Sequence, residues 1–335
     1  MKIERLSPSS FKTWDTCPHA FWIEQNLGYR WAPHIKADMG TAVHLALEIM
    51  AIGQLQKEQD PSATKIQIDS RKMDFNIDDD PNIFLDFALS RKPAGFFSAE
   101  QISQMREYLD TALTFSDGEY DPRNRKIKAS EKRLKIPIPE NWALISEAQE
   151  DVKESRFSVT GVMDLVTELD EDTLEIIDWK CAQPKNWDTM RKKRYADFYD
   201  DIQLRLYHWA ATQMYPEYKN IIVTIFYLTT KDCFNIPFTL DDVPKTLDSV
   251  KNRYLEISQC EKPKRNIKDF FCHNLCGHGK TPASLTNLPD IKQEKAGGIA
   301  EVGQPMTVCD SAKWSADHFG LEFVELNYSK AKKKQ

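Results

Sequence analysis

Residues 174–181, Leu-Glu-Ile-Ile-Asp-Trp-Lys-Cys, place a carboxylate and an amine two positions apart in an apolar run. The run reads as a β-strand, in which side chains alternate between faces. Asp178 and Lys180 therefore project together, about 7 Å apart along the strand, while Ile177 and Trp179 face the other way. An acid that holds a divalent cation, beside an amine that steadies or deprotonates water, suits phosphodiester hydrolysis. An Asp-x-Lys pair alone reads first as the ion pair of an edge strand, so its meaning depends on its company.

Gly161-Val-Met-Asp164 puts a second acid inside the preceding apolar strand, where a buried carboxylate needs a partner. Two acids on neighbouring strands can converge on one cation, and an oxygen-rich setting favours Mg²⁺ or Mn²⁺. Gly161 is expected where another backbone comes close. His44 and Glu48 lie one turn apart on an early helix, His44 as a nitrogen ligand and Glu48 as the acceptor that orients it. Gln203 and Tyr207 are likewise one turn apart on a later helix. Gln203 suits a water or a phosphate, and Tyr207 a nucleic-acid backbone or the lysine. Without the Asp-x-Lys pair these would read as a structural histidine and an ordinary amphipathic helix.

These residues need a scaffold. Ser7-Pro8 predicts an N-cap with proline in the first turn. Gly40 to about Lys57 is a second helix, and residues 60–80 a polar excursion. Ser98-Ala-Glu-Gln101 is a capping box opening a helix to about Phe115. Residues 127–138 and 142–150 read as strands. Phe157–Leu169 and Leu174–Cys181 form a hairpin around Asp170-Glu171-Asp172. Ala196–Tyr215 is a helix ended by Pro216. Asn220–Thr230 is a buried strand, Cys233–Thr239 its edge partner, and Asp241–Ser258 a last helix. The order implies an α/β fold, a mixed central sheet flanked by helices. Three segments follow: a helical N-terminal region over 1–118, a core with a C-terminal cysteine pair over 119–276, and an irregular insertion with a basic tail over 277–335.

His on an early helix, Gly-x-x-Asp, Asp-x-Lys and Gln-x-x-x-Tyr, in that order, resemble the RecB- and AddB-like branch of the PD-(D/E)XK nucleases. The chain is similar to the CRISPR-associated RecB-like exonucleases of that branch. Leu6-Ser-Pro-Ser-Ser10-Phe and Trp14-Asp-Thr-Cys17-Pro-His-Ala-Phe21 share the resemblance, which covers residues 6–276. It implies a restriction-endonuclease-like core. It makes His44, Asp164, Asp178 and the Trp179 carbonyl metal ligands, Lys180 catalytic, Gln203 and Tyr207 its assistants, and Glu131 a further acid of the site. It also implies a [4Fe–4S] cluster on Cys17, Cys272, Cys276 and a fourth ligand, for which Cys309, Cys260, His273 and His278 compete. The Cys272-x-x-x-Cys276 spacing departs from the usual two-residue gap, and a mixed Cys/His Zn²⁺ site is the alternative. Cys181 and Cys233 read as core thiols.

The bulk properties fit this frame. The 335 residues are 41% hydrophobic and 29% charged, as in an ordinary globular protein. No apolar run reaches membrane-span length. The start, Met-Lys-Ile-Glu-Arg, lacks the apolar core of a secretory signal, so a cytoplasmic setting with reduced thiols is expected. Net charge is −6, which disfavours a protein that coats nucleic acid and leaves room for a nuclease with local basic patches. Lys185 with 191–194, and Lys262, Lys264, Arg265 and Lys268, are the expected phosphate contacts, with Trp187 and Tyr195 available to stack on single-stranded bases.

The leading expectation is a Mg²⁺- or Mn²⁺-dependent DNA exonuclease in recombination, repair, CRISPR adaptation or phage DNA processing. Its substrate would be single-stranded DNA or single-stranded ends. No helicase motif is present, so a motor or recombination partner would be a separate chain. The competing readings are a catalytically silent nucleic-acid-binding subunit, and a zinc or iron–sulfur structural protein whose acids merely pair with lysines.

Overall fold

The computed structural model describes the chain except residues 2, 32–33, 69–70, 147–153, 187–189, 268–271, 273–275, 290–305 and 331–335. In order, the elements are β1 (Arg5–Leu6), α1 (Pro8–Thr16), α2 (Pro18–Gln25), α3 (Ile35–Gln59), β2 (Lys65–Ile68), β3 (Arg71–Asn76), α4 (Pro81–Ser90) and α5 (Ala99–Thr114). Then come β4 (Lys126–Pro137), β5 (Leu144–Ser146), β6 (Ser155–Arg156), β7 (Ser158–Glu168), β8 (Thr173–Lys180), α6 (Tyr195–Tyr199) and α7 (Ile202–Met214). The series ends with β9 (Asn220–Tyr227), β10 (Asp232–Phe238), α8 (Asp242–Ser258), α9 (Val308–Phe319) and α10 (Leu321–Tyr328). No helix among the described residues is long and apolar enough to cross a membrane.

Two compact units result, and neither is a single run of chain. One comprises Met1–Ala32, Pro137–Val159 and Asp248–Gln335; the other comprises Pro33–Ile136 and Thr160–Leu247. The second unit holds the central mixed sheet. β7 pairs β8 antiparallel, from Leu165↔Ile177 to Glu168↔Leu174. β8 pairs β9 in parallel and β9 pairs β10 antiparallel, while β4 lies on β7. Ile177 and Trp179 of β8, with Phe226 and Leu228, pack with Val43, Ala46, Leu47 and Met50 of α3. The alternate residue, Asp178, meets α7 instead. The period of two that the apolar run implies is thus realised.

The expected caps are present. Ser7 forms a capping box with Ser10, and Ser98 one with Gln101. Four expectations change. Residues 60–80 contain the β2–β3 hairpin. The predicted helix over 196–215 is broken: Asp201 is extended, accepts from the Gln203 backbone N–H at 2.9 Å, and so caps α7 as a separate helix. A short polar side chain that satisfies an orphan amide outweighs the continuity of the apolar pattern. Residues 277–335 are not all irregular, because Thr307 caps α9 and Gly320, at φ +81°, turns the chain into α10. A second strand was expected over 142–150; β5 covers 144–146 of it, and 147–150 lie outside the described residues.

In the first unit, β1 pairs in parallel with the opening residues of β7. Trp22, Ile23, Leu27 and Tyr29 pack with Val308, Ala312 and Val324, joining the α2 segment to α9 and α10.

The second unit also buries an ion pair between Arg125 and Glu175. Glu175 of β8 is 2% exposed and is held by Arg125, Thr224 and Asn235. Removing one partner strands a buried charge. Arg125→Met is expected to cost about 3–5 kcal/mol in denaturant titrations, and adding Glu175→Leu should recover most of the loss.

Candidate active site

All residues of this site belong to the second unit. β7 and β8 bring their acids together through the backbone. The Trp179 N–H donates to Asp164 Oδ2 at 3.0 Å, so Asp164 is held at the strand position that precedes Lys180. His44 of α3 reaches the same oxygen, its Nδ1 3.5 Å from Asp164 Oδ2. Its ring also lies edge-on to Trp179, with centroids 6.3 Å apart. Glu131 of β4 completes a trio. Ligand atoms of His44, Glu131 and Asp164 all lie within 4.8 Å of one another.

Glu131 takes φ +44°, the left-handed region that residues with a Cβ avoid. Such a conformation persists where the surroundings over-determine it, and it cannot be read from residue types along a strand.

Asp178 is almost completely buried. Lys180 Nζ sits 2.5 Å from Asp178 Oδ2, and Gln203 Nε2 donates to Oδ1 at 2.8 Å. Gln203 Nε2 also reaches the Tyr207 hydroxyl at 3.1 Å, and that hydroxyl donates to the Val162 carbonyl at 2.5 Å. Gln203 and Tyr207 therefore form a positioning chain from the β7 backbone to the Asp178 carboxylate. Tyr207 is 5% exposed, and its hydroxyl is engaged by Gln203 and the Val162 carbonyl. Gly161 does not admit a close backbone. A Cβ there would meet the Tyr207 ring at 3.5 Å and Leu134 methyls at 3.7 Å, ordinary side-chain contacts.

The electrostatics follow from burial. Desolvation, then Asp178, pushes the Asp164 carboxyl up to about 8, although Lys180 and the Trp179 N–H oppose the rise. Desolvation, then Asp164 and Glu48, raises Glu131 to about 7. His44 is lowered, first by burial and then by Lys180, so it is a neutral ring with a lone pair to give. For Lys180 burial is the largest single influence and disfavours the charge. Asp178 and Asp164 together outweigh it and raise the pKa, so this lysine is an ammonium. Burial keeps Tyr207 protonated, well above the phenol range. One ammonium thus serves a cluster of acids, and Asp164 and Glu131 hold protons that a divalent cation would replace. Two carboxylates and a neutral imidazole are a suitable donor set for such an ion.

The expected basic contacts are mostly engaged. Arg191 pairs with Asp197, Lys192 with Asp232 and Lys193 with Asp201. In the first unit Lys262 pairs with Asp317 and Arg265 with Asp310. Tyr195 is exposed, whereas Trp187 and Lys268 lie outside the described residues.

The first unit gathers thiols. Cys17 ends α1 and caps α2, Cys276 precedes a short 3₁₀ turn, and Cys309 sits in the first turn of α9. Together with Cys272 they line one small cavity, shared with Arg265, Asn266 and His278. Cys260 is not in its wall, and His273 lies outside the described residues. Burial pushes the Cys309 thiol up to about 12, opposed by Arg265.

This sheet, with two carboxylates and a lysine at adjoining strand positions, defines a nuclease architecture. The chain belongs to the PD-(D/E)XK nuclease superfamily, whose family model matches residues 5–278. Members of the superfamily use divalent metal ions. The crystal structure of a "Putative exonuclease" from Eubacterium rectale is similar, with TM-score 0.46 and 14% identity over 82% of this chain and 89% of that chain. No curated protein matches the chain.

Asp164 yields a pH test. The folded chain keeps its proton up to about pH 8. The unfolded chain releases it near pH 4. Between these values the folded state binds the extra proton, so this group's contribution to stability declines as pH rises. A divalent ion competes with that proton. Mn²⁺ should therefore raise Tm more at pH 8 than at pH 6, and Asp164→Asn should raise the metal-free Tm at pH 8 and abolish most of the Mn²⁺ increment.

Proposed function

We propose that this chain is a divalent-metal-dependent deoxyribonuclease, an exonuclease of the RecB- and AddB-like branch acting on single-stranded DNA or single-stranded ends. The observation that carries the reading is the convergence of His44, Glu131 and Asp164 beside the Asp178–Lys180 pair. The cation would be Mg²⁺ or Mn²⁺, held by His44, Asp164 and Asp178 with the Trp179 carbonyl, and with Glu131 as a further acid. When bound it polarises the scissile phosphate and acidifies water. Lys180, kept charged by its acid neighbours, orients the attacking water and offsets negative charge that builds on the phosphate. Gln203 fixes the Asp178 carboxylate, and Tyr207 fixes Gln203. The presence of every acid and of the lysine favours catalysis over a silent DNA-binding subunit.

The test is cleavage of single-stranded and duplex DNA with Mg²⁺ or Mn²⁺. Lys180→Ala and Asp178→Ala should each lose about 10²-fold or more. Gln203→Ala should lose about 10–100-fold, as expected when a residue that orients a metal ligand is removed. Wild-type turnover that survives all three substitutions unchanged would falsify the assignment. Digestion of a circular single strand would overturn exonuclease action.

We further propose that Cys17, Cys272, Cys276 and Cys309 hold a [4Fe–4S] cluster. What supports this reading is that all four thiols line one cavity. Thiolates suit such a cluster, and His278 in the same wall keeps a mixed Cys/His Zn²⁺ site as the competing reading. Anaerobically isolated protein should carry about four irons per chain and absorb broadly in the visible, with both lost in Cys17→Ala. Stoichiometric zinc without colour would decide for the other metal.

A further inference from the structure

β4 differs from the other basic stretches of its unit. Directly after Glu131, the side chains of Lys132, Arg133 and Lys135 are exposed, while Leu134 is buried. Leu134 and Tyr207 both lie within 4 Å of the place a Cβ at Gly161 would occupy, so the stretch is anchored beside the positioning chain of the site. Arg133 is attracted to Glu131. Among the described residues no hydrogen bond or ion pair engages the side chains of Lys132, Arg133 or Lys135, in contrast to Arg191, Lys192 and Lys193.

A cluster of carboxylates repels a polyanion, so a nucleic-acid strand needs cations beside it to be held there. From Lys132 to Lys135 the strand rises about 10 Å, enough to meet more than one phosphate. The cluster begins one residue from a candidate metal ligand, so a strand held on it would be led to the site.

We propose that Lys132, Arg133 and Lys135 form a phosphate track along β4 that guides one DNA strand into the His44/Glu131/Asp164 site. The proposal rests on the nuclease reading above and adds where the substrate lies. Contacts of this kind recognise backbone and not base, so the track is indifferent to sequence.

The test is fluorescence anisotropy with a labelled oligothymidylate in EDTA, across a series of salt concentrations. The triple variant Lys132→Gln, Arg133→Gln, Lys135→Gln should bind at least about tenfold more weakly. Its log–log salt slope should shrink by up to about 2, because each phosphate neutralised on a single strand contributes about 0.7. A control variant, Arg191→Gln, Lys192→Gln, Lys219→Gln, removes the same charge from paired positions and should stay near wild type in both measures. Circular dichroism and Tm confirm that both variants fold. A triple variant equal to wild type, or a control that loses as much, overturns the track while leaving the nuclease reading intact. Wild-type protein that neither binds the oligonucleotide nor cleaves DNA overturns both.

Discussion

The structure of the second unit turns on an electrostatic debt at one end of its sheet. Asp164 and Asp178 are brought together on adjoining strands, out of water, with Glu131 beside them. Like charges at close range in a poorly solvated place cannot all ionise. Lys180 compensates part of the excess, and protons on Asp164 and Glu131 compensate the rest. Carboxylates that hold protons near neutral pH can exchange them for a small, hard, doubly charged ion.

The surrounding elements serve to hold that arrangement. The β7–β8 ladder sets the acids, and the backbone N–H of Trp179 donates to the Asp164 carboxylate and orients it. α3 packs on Ile177 and Trp179 and presents His44. α7, restarted by the Asp201 cap, presents Gln203 and Tyr207 on one face and ties Asp178 to the Val162 carbonyl. The packing faces and the chemical faces alternate along β8, so one strand supplies both the core and the site. The thiol cavity of the first unit follows the same logic with softer donors. Three buried thiols and the partly buried Cys272 line one space near Arg265, and such donors suit soft metals.

Much of this was legible in residue order. The Asp178–Lys180 spacing, the Ser7 and Ser98 caps, the β7–β8 hairpin and the β9–β10 pair all rest on local periodicity or on side chains that bond their own backbone. Those signals operate over a few residues and survive whatever the rest of the chain does. The one-turn pairing of Gln203 with Tyr207 was equally visible, but its job was not. Only contact with Asp178 and Val162 shows that the pair orients a carboxylate. Glu131 was a weaker signal because its left-handed backbone breaks the strand pattern that would otherwise place it. The basic runs were visible too, but which acid the fold puts beside each of their residues was not.

By itself, then, the sequence determined the element types, the donor inventory and the order in which acids, lysine and histidine follow one another, since these depend on neighbours along the chain. The tertiary structure decided which donors share a point in space. It joined positions 44, 131 and 164, chose Cys309 over Cys260 for the thiol cavity, and turned 307–328 into helices that complete a unit begun at the N-terminus. Those outcomes depend on packing between segments far apart in sequence, where burial sets both the distance between groups and the charge each can carry.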